Sequence, residues 1–162
     1  MHTANVVVAW IATAQDRLDD GVAELGLHPR ELAALTLVHT HEGCSLEWLR
    51  PRVGLTQSGT VRLVDRLAAR GLLARGPSTG RGVPLRVTAD AVALLDRWKD
   101  VRDGIVDGLL VGVRAEARRS IVDGMAAALL AHGRRRVEAD LSCRRCSWAE
   151  CGDDCPVDHS VT

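Results

Sequence analysis

The chain has 162 residues, of which 46% are hydrophobic. This length and apolar content predict a globular protein with a sizeable core and exclude a wholly disordered chain. The formal net charge is zero, which excludes a uniformly basic nucleic-acid-binding protein. Phe and Tyr are absent, so base stacking would rest on the four Trp alone, and a double-stranded nucleic acid is a better-suited partner than a single strand.

The first half of the chain predicts two helices. The first runs from Val6 to Leu25, where apolar residues recur at steps of three and four, and Gly26 ends it. The second begins at Pro29 and places Leu32, Leu35 and Val38 inward. Three nearby polar or reactive residues are interpreted as ordinary helix-end or semi-buried residues, not as ligands or nucleophiles: His39, His41 and Cys44.

Two short segments then predict a helix-turn-helix. Ser45 caps a helix that ends at Gly54, and Thr56 or Ser58 caps a second helix that ends at Gly71. An apolar stripe of the second helix should face the core: Thr60, Leu63, Val64 and Leu67. The opposite stripe carries groups that can read base edges in a major groove: Gln57, Ser58, Val61 and Arg62, with Asp65 beside them. The alternative is an ordinary amphipathic surface helix.

A hairpin follows this helix. Leu73, Val83, Leu85 and Val87 should point inward and Arg86 outward, around a glycine-rich tip that presents Arg81. Between Arg50 and Arg86 there are eight arginines and one acidic residue, Asp65, so this region is a basic module in a neutral chain. We therefore add Arg66, Arg75 and Arg81 to the expected DNA contacts.

Two further helices follow the hairpin. A long helix begins at Thr88, and the row Gly104, Gly108 and Gly112 would permit close approach of another helix, or would only weaken this one. A final helix spans roughly Arg114 to His132. The first and last helices carry more apolar surface than the small hairpin-bearing module can cover, which predicts a dimer; the alternative is a monomer with a thicker core.

This order of helices, together with the stretch TQSGTVRLVDRLAARGLLAR, resembles the MarR (multiple-antibiotic-resistance regulator) family of winged-helix transcription regulators. The resemblance implies a homodimer on a pseudo-palindromic operator, and a crevice between the dimer and DNA lobes where a small-molecule effector can act. Gly59 replaces the family's usual threonine. The family's Asp-Arg-Arg wing run is reduced here to Gly80, Arg81, Gly82.

The last residues depart from that family pattern. Four cysteines, Cys143, Cys146, Cys151 and Cys155, have the spacing C-x2-C-x4-C-x3-C-P, which is typical of a thiolate metal site. An iron–sulfur cluster is favoured over zinc because C-x3-C-P closes ferredoxin-type motifs, although the x4 gap departs from their x2. Zn2+ would equally fold so short a tail, and free, oxidisable thiols are the remaining alternative. His159 could replace one ligand.

These patterns predict a mainly α (α+β) fold: a winged helix-turn-helix with long N- and C-terminal dimerisation helices and a small β-hairpin wing. We expect a dimerisation helix at 1–26, a DNA-binding lobe at 27–88, dimerisation helices at 89–136 and a metal-binding tail at 137–162. The expected function is a metal- or redox-responsive repressor that binds double-stranded DNA. The alternative is an interaction or electron-carrying module on the same scaffold, without DNA readout. No catalytic motif stands out, so we expect no enzyme. No membrane span or signal peptide is evident, so we expect a cytoplasmic protein.

Overall fold

The structure, a computed structural model, describes residues 2–78, 80 and 82–162. In these residues the helices and strands are, in chain order, α1 (Thr3–Glu24), α2 (Pro29–Thr40), α3 (Leu46–Val53), α4 (Gln57–Ala69), β1 (Leu73–Arg75), β2 (Leu85–Val87), α5 (Ala89–Leu109), α6 (Ala115–Ala131), α7 (Arg136–Cys143) and α8 (Trp148–Cys151). This is the mainly helical, winged helix-turn-helix fold that the sequence predicts. None of the described helices is both long and apolar enough to cross a membrane.

Local capping explains where α3 and α4 begin and end. Both helices belong to the lobe of residues 27–88 that is predicted to read DNA, the reading lobe. The Ser45 hydroxyl accepts a hydrogen bond from the backbone N–H of Trp48 at 3.2 Å, and the Thr56 hydroxyl accepts one from Gly59 at 3.2 Å. These bonds satisfy N–H groups that would otherwise have no partner in the first turn. Gly54 (φ 63°) takes the left-handed conformation that separates α3 from α4. Thr56 is therefore the cap of α4, and Ser58 lies inside the helix.

The predicted inward stripe of α4 is the part of the helix that enters the core. Thr60, Leu63, Val64 and Leu67 are all at most 1% exposed, and they pack with α2, α3 and the hairpin. The strands β1 and β2 pair antiparallel, with Leu73 opposite Val87 and Arg75 opposite Leu85. Leu73 and Leu85 are buried and Arg86 is exposed, as predicted, whereas Val83 and Val87 are only half-buried. The tip residue Arg81 lies outside the described residues.

Helices α1 and α5 pack against each other, and a glycine allows their approach. A Cβ atom on Gly21 would lie 2.7 Å from Ile105 Cδ1 and 2.9 Å from Val101 Cγ1. The glycine row in and after α5 predicts either the close approach of another helix or only a weaker helix, and within the described part of this chain a Cβ on Gly104, Gly108 or Gly112 would meet nothing within 4 Å. The close contact therefore lies in α1, at a position to which the sequence drew no attention.

The tail forms a small closed unit on the side of the molecule. Its ends meet in a parallel bridge, where the N–H of Arg134 donates to Ser160 O at 2.9 Å and the N–H of Thr162 donates to Arg134 O at 3.1 Å. Only a small apolar cluster of Ala139, Cys143 and Val157 is buried within it. α7 packs against α3, so the tail is attached to the reading lobe.

Candidate nucleic-acid interface and cysteine centre

The exposed face of α4 presents the predicted reading residues. Gln57, Ser58 and Arg62 are exposed, and Val61 is 36% exposed. They lie in the first turns of the helix, opposite the buried stripe, because residues at steps of three and four share a face. The Ser58 and Thr56 hydroxyl oxygens lie 3.3 Å apart, within hydrogen-bonding distance. The arrangement places amide, hydroxyl, guanidinium and methyl groups together on solvent-facing surface.

A groove of about 530 Å³ runs beside this face. It lies between α3, α4 and the hairpin, and its lining includes Arg50, Gln57, Val61 and Gly82. One wall therefore belongs to the first helix of the helix-turn-helix and another to its second helix. A concave surface of this kind, bounded by a helix and a wing, can receive the edge of a nucleic-acid duplex.

The structure divides the seven described arginines of the basic module, which exclude Arg81, into two groups. Most of them pair with carboxylates, several of which come from outside the module: Arg52 with Asp140 (2.7 Å), Arg66 and Arg70 with Glu31 (3.7 and 3.1 Å), Arg75 with Asp65 (2.6 Å) and Arg86 with Glu42 (3.4 Å). Within the described part of the chain, no carboxylate pairs with Arg50 or Arg62. The two described arginines without an ion pair are therefore Arg50, which shares the lining of the groove with Glu47, and Arg62, on the exposed face of α4.

This division separates the predicted DNA contacts. Gln57, Ser58, Val61 and Arg62 share the open face of α4. Arg66 and Arg75 instead hold intramolecular ion pairs, although the Arg66 side chain is 61% exposed and the Arg75 side chain 37% exposed. The sequence could not reveal this difference, because Glu31 lies 35 positions before Arg66 in the chain.

Comparison with known proteins agrees with this architecture. Residues 25–82, which include α2, α3, α4 and β1 but end before β2, match the MarR family. This segment of the chain is therefore similar to the MarR family.

Solved structures of MarR family proteins have the same fold. A MarR family protein of Mycobacterium tuberculosis in complex with DNA has a TM-score of 0.65 at 19% identity, over 79% of this chain and 98% of that one. The same protein with p-aminosalicylic acid has a TM-score of 0.62 at 20% identity, with the same coverage. Wild-type MarR from E. coli in its apo form has a TM-score of 0.64 at 15% identity, over 80% of this chain and 98% of that one. No curated protein matches the sequence.

The cysteine tail lies beyond the segment that matches the MarR family. All four predicted ligands, Cys143, Cys146, Cys151 and Cys155, line one cavity of about 110 Å³, together with Arg136, Trp148, Gly152 and Asp158. As the side chains stand, no group of three or more His, Cys, Asp or Glu among the described residues is arranged to hold a metal ion. The structure thus places the four cysteines around one cavity.

The thiols in this cavity influence one another. A hydrogen bond with Cys146 and burial raise the pKa of Cys143 well above its usual value. The same hydrogen bond, aided by the nearby charges of Arg102 and Arg144, lowers the pKa of Cys146 to about 7. Arg144 therefore favours the thiolate, whereas Arg145 is paired with Asp19 of α1 at 2.7 Å. Such a cluster contains at least one sulfur that ionises readily near neutral pH.

The other candidate residues lie apart from this cavity. His159 is exposed and does not line it. Cys44 is half-buried in the turn before α3, and burial raises the pKa of its thiol to about 11, which makes it a poor nucleophile. His39 is exposed in the last turn of α2. His41 has a larger role than an ordinary helix end, since its ring lies 4.6 Å from that of Trp48 and 5.1 Å from that of Trp148.

Sequence reasoning missed the acidic residue that attaches the tail to the fold. Asp140 is completely buried and pairs with Arg52 of α3 at 2.7 Å. Nothing in its neighbourhood, VEADLS, distinguishes it from the solvent-exposed acids of the chain. Aspartate is rarely buried unless it is paired, and its partner lies 88 positions away.

Proposed function

We propose that this chain is a sequence-specific, double-stranded-DNA-binding transcription regulator that acts as a repressor and binds a pseudo-palindromic operator as a homodimer. One observation supports this most directly. The described arginines of the basic module that pair with no carboxylate, Arg50 and Arg62, lie at the groove and on the open face of α4, beside Gln57 and Val61. Positive charge and hydrogen-bonding groups are therefore concentrated where a duplex would dock.

Each residue of this face suits a distinct part of a DNA duplex. Arg62 can donate two hydrogen bonds to the N7 and O6 acceptors of guanine, and Gln57 can pair with the N7 and N6 of adenine. Val61 can lie against a thymine methyl group. Arg50, on the wall contributed by α3, suits a backbone phosphate, which would fix the register of α4 without reading sequence. The wing residue Arg81 is proposed as a further backbone or minor-groove contact.

The proposal of a homodimer rests on unpartnered apolar surface. α6 has no buried residue, and its exposed side chains include Ile121, Val122, Met125, Leu129 and Leu130. The beginning of α1 is similarly exposed at Val6, Val7, Trp10 and Ile11. Surface of this composition favours burial against a second copy of the chain. Two reading helices related by a twofold axis would then contact half-sites about 34 to 36 Å apart.

We further propose that a metal centre in the tail makes the regulator responsive to metal or redox state. The four cysteines surround one cavity, and the tail buries too little apolar surface to be stable by itself. Cys143, Cys146, Cys151 and Cys155 would hold either an iron–sulfur cluster or Zn2+. A bound metal centre would cross-link the cysteines of the tail. An iron–sulfur cluster would also make the protein sensitive to oxidation. A small-molecule effector remains part of the proposal by analogy with the p-aminosalicylic acid complex of the M. tuberculosis protein.

The DNA-binding proposal can be tested with a duplex selected by the wild-type protein from a random pool. Binding should weaken steeply as the salt concentration rises, because cationic side chains that contact the phosphates release counterions from the DNA when the complex forms. Arg62→Ala should reduce discrimination between the selected site and single-base variants by about 5- to 150-fold, equivalent to about 1 to 3 kcal/mol. Arg97→Ala removes an equally exposed arginine from α5 and serves as the control that should leave discrimination unchanged. If the purified protein ignores duplex DNA, the interaction-module alternative replaces this proposal.

The metal proposal needs an independent measurement on protein purified without oxygen. Brown protein that contains iron and sulfide would identify a cluster, while colourless protein with one zinc per chain would identify a structural zinc site. Cys155→Ser should lower the metal content, whereas Cys44→Ser, outside the cavity, should leave it unchanged. Wild-type protein that takes up neither metal under these conditions would contradict the proposal.

A further inference from the structure

The cysteine tail contacts two parts of the molecule, the helix-turn-helix and the α1/α5 pair, away from the face that is proposed to read DNA. On one side, α7 packs against α3, the first helix of the helix-turn-helix. On the other side, Arg145 pairs with Asp19 of α1 at 2.7 Å. Trp98 of α5 donates its indole N–H to the carbonyl oxygen of Arg145 at 3.0 Å. The tail therefore bridges the α1/α5 pair and the reading lobe.

A buried ion pair lies at the centre of the contact with the reading lobe. The Nε–H of Arg52 donates to Asp140 Oδ2 at 2.7 Å, and Arg136 Nε lies 3.1 Å from Asp140 Oδ1. Asp140 is fully buried, and Arg52 is 8% exposed. The guanidinium of Arg52 also lies 3.8 Å from the centre of the Trp48 ring and donates to the Trp48 carbonyl oxygen at 2.9 Å. Because both charges are withdrawn from water, the loss of either one leaves the other uncompensated.

The cysteine cavity and this ion pair share one helix. Cys143, which lines the cavity, lies three residues after Asp140 on α7, so both side chains belong to nearly the same face. Trp148 also lines the cavity, and its indole N–H donates to Cys143 O at 3.0 Å. The Trp148 ring meets His41, which in turn meets Trp48 of α3. The cysteine cavity is thus joined to α3 by a chain of direct contacts through Trp148 and His41.

We propose that Asp140 is a positioning residue through which the metal state of the cysteine tail sets the orientation of α3 and α4 on DNA. This rests on the proposed function, because it requires both DNA reading and a thiolate metal site. A metal that joins Cys143 to the other cysteines fixes the end of α7, and with it the carboxylate of Asp140. Without metal, the cysteine-bearing end of α7 is held only by the small apolar cluster and by single hydrogen bonds such as that from the Trp148 indole N–H to Cys143 O, so Asp140 is a less firmly fixed partner for Arg52 and α3 gains freedom. The metal-loaded form therefore binds DNA more tightly.

Asp140→Asn tests this coupling because it retains the shape of the side chain and removes the charge. Glu138→Gln is the matched control: it removes a carboxylate charge from the same helix, but Glu138 pairs with Arg135 and its side chain is 45% exposed. Affinity for the selected duplex is measured for each protein after zinc loading and after zinc removal by a chelator. The wild-type and Glu138→Gln proteins should lose about tenfold or more in affinity when zinc is removed. Asp140→Asn should bind zinc with the wild-type stoichiometry but bind DNA about equally, and weakly, in both states.

Hydrogen exchange of the α3 amides provides a readout that does not require DNA. Zinc should slow exchange across Leu46–Val53 in the wild-type and Glu138→Gln proteins and leave it unchanged in Asp140→Asn. If Asp140→Asn does not fold, Arg52→Gln removes the same pair from the α3 side and should give the same result.

The possible failures can be distinguished. A wild-type zinc response in Asp140→Asn, by either measurement, overturns the coupling. Zinc-dependent protection of α3 in a protein that ignores duplex DNA would refute the DNA-binding function and leave the coupling intact. DNA binding with no effect of zinc on affinity or on α3 exchange would refute the coupling and leave DNA reading intact.

Discussion

Glu31→Gln tests how the recognition helix α4 is held against the rest of the lobe. The Glu31 side chain at the start of α2 is 9% exposed. Its Oε2 accepts a hydrogen bond from the backbone N–H of His28 at 3.0 Å and another from Arg70 Nη1 at 3.1 Å. Its Oε1 lies 3.7 Å from Arg66 Nε. Glu31 therefore completes the capping box of α2 and ties α2 to the end of α4.

The magnitude follows from the burial of each partner. Glutamine can still accept the hydrogen bond from His28, so the substitution removes mainly the charge. Arg66 is 61% exposed and only loosely paired, so its contribution should be at most a few tenths of a kcal/mol, within the range of about 0 to 1 for surface pairs. Arg70 is 40% exposed, so its charge-assisted bond is discounted from about 1.5–3 kcal/mol to about 1. We expect the free energy of unfolding to fall by about 1 to 1.5 kcal/mol.

Urea unfolding followed by tryptophan fluorescence can measure this loss. Glu42→Gln is the matched control, since Glu42 pairs with Arg86 at 3.4 Å and both side chains are more than 60% exposed. It should change the free energy of unfolding by less than about 0.5 kcal/mol. Added salt should weaken the Glu42 pair more than the Glu31 pairs, because buried pairs are screened less. Equal losses in the two variants would show that burial of Glu31 does not determine the strength of this contact.

Three further predictions concern other parts of the fold. Gly21→Ala should destabilise the chain by about 1 to 3 kcal/mol, because the new Cβ meets Ile105 at 2.7 Å. Gly104→Ala should stabilise α5 by about 0.5 to 1 kcal/mol, and equal thermal unfolding midpoints for the two variants would contradict this prediction. Thr56→Ala should lower the free energy of unfolding in urea titrations by about 1 kcal/mol, whereas Thr56→Ser, which keeps the capping hydroxyl, should be close to wild type. Equal stability of Thr56→Ala and the wild type would show that the cap of α4 contributes nothing. Burial lowers the pKa of His41 below its usual 6.5, so near that pH the unfolded chain binds more protons than the folded chain. The free energy of unfolding, measured with urea, should therefore fall as the pH drops below about 6.5, and His41→Gln should lose this part of the pH dependence.

The local elements of the reading lobe could be predicted from sequence because their causes lie within a few residues. The caps at Ser45 and Thr56, the break at Gly54 and the stripe from Thr60 to Leu67 all depend on neighbours in the same helix or turn. The MarR resemblance followed from the same stretch. The exposed reading face of α4 was predicted for the same reason, since a buried stripe leaves the opposite stripe in solvent.

The electrostatics of the site could not be predicted in this way. By sequence, Arg62, Arg66 and Arg75 were equivalent members of a basic run, but Glu31 and Asp65 neutralise the last two in the folded chain. An ion pair depends on a separation in space of a few ångströms, and sequence distance carries little information about it.

What the sequence by itself determined is therefore the set of helices, the wing and the four cysteines available for a metal, because propensity, capping and spacing act locally. Only the tertiary structure decided which of the described arginines have no carboxylate partner. It also decided that Gly21 allows the close packing of α1 against α5 and that Asp140 joins the tail to α3. Each of these depends on side chains brought together from distant positions. A charge or a glycine acquires its role there from the neighbours that folding supplies and from the water that folding removes.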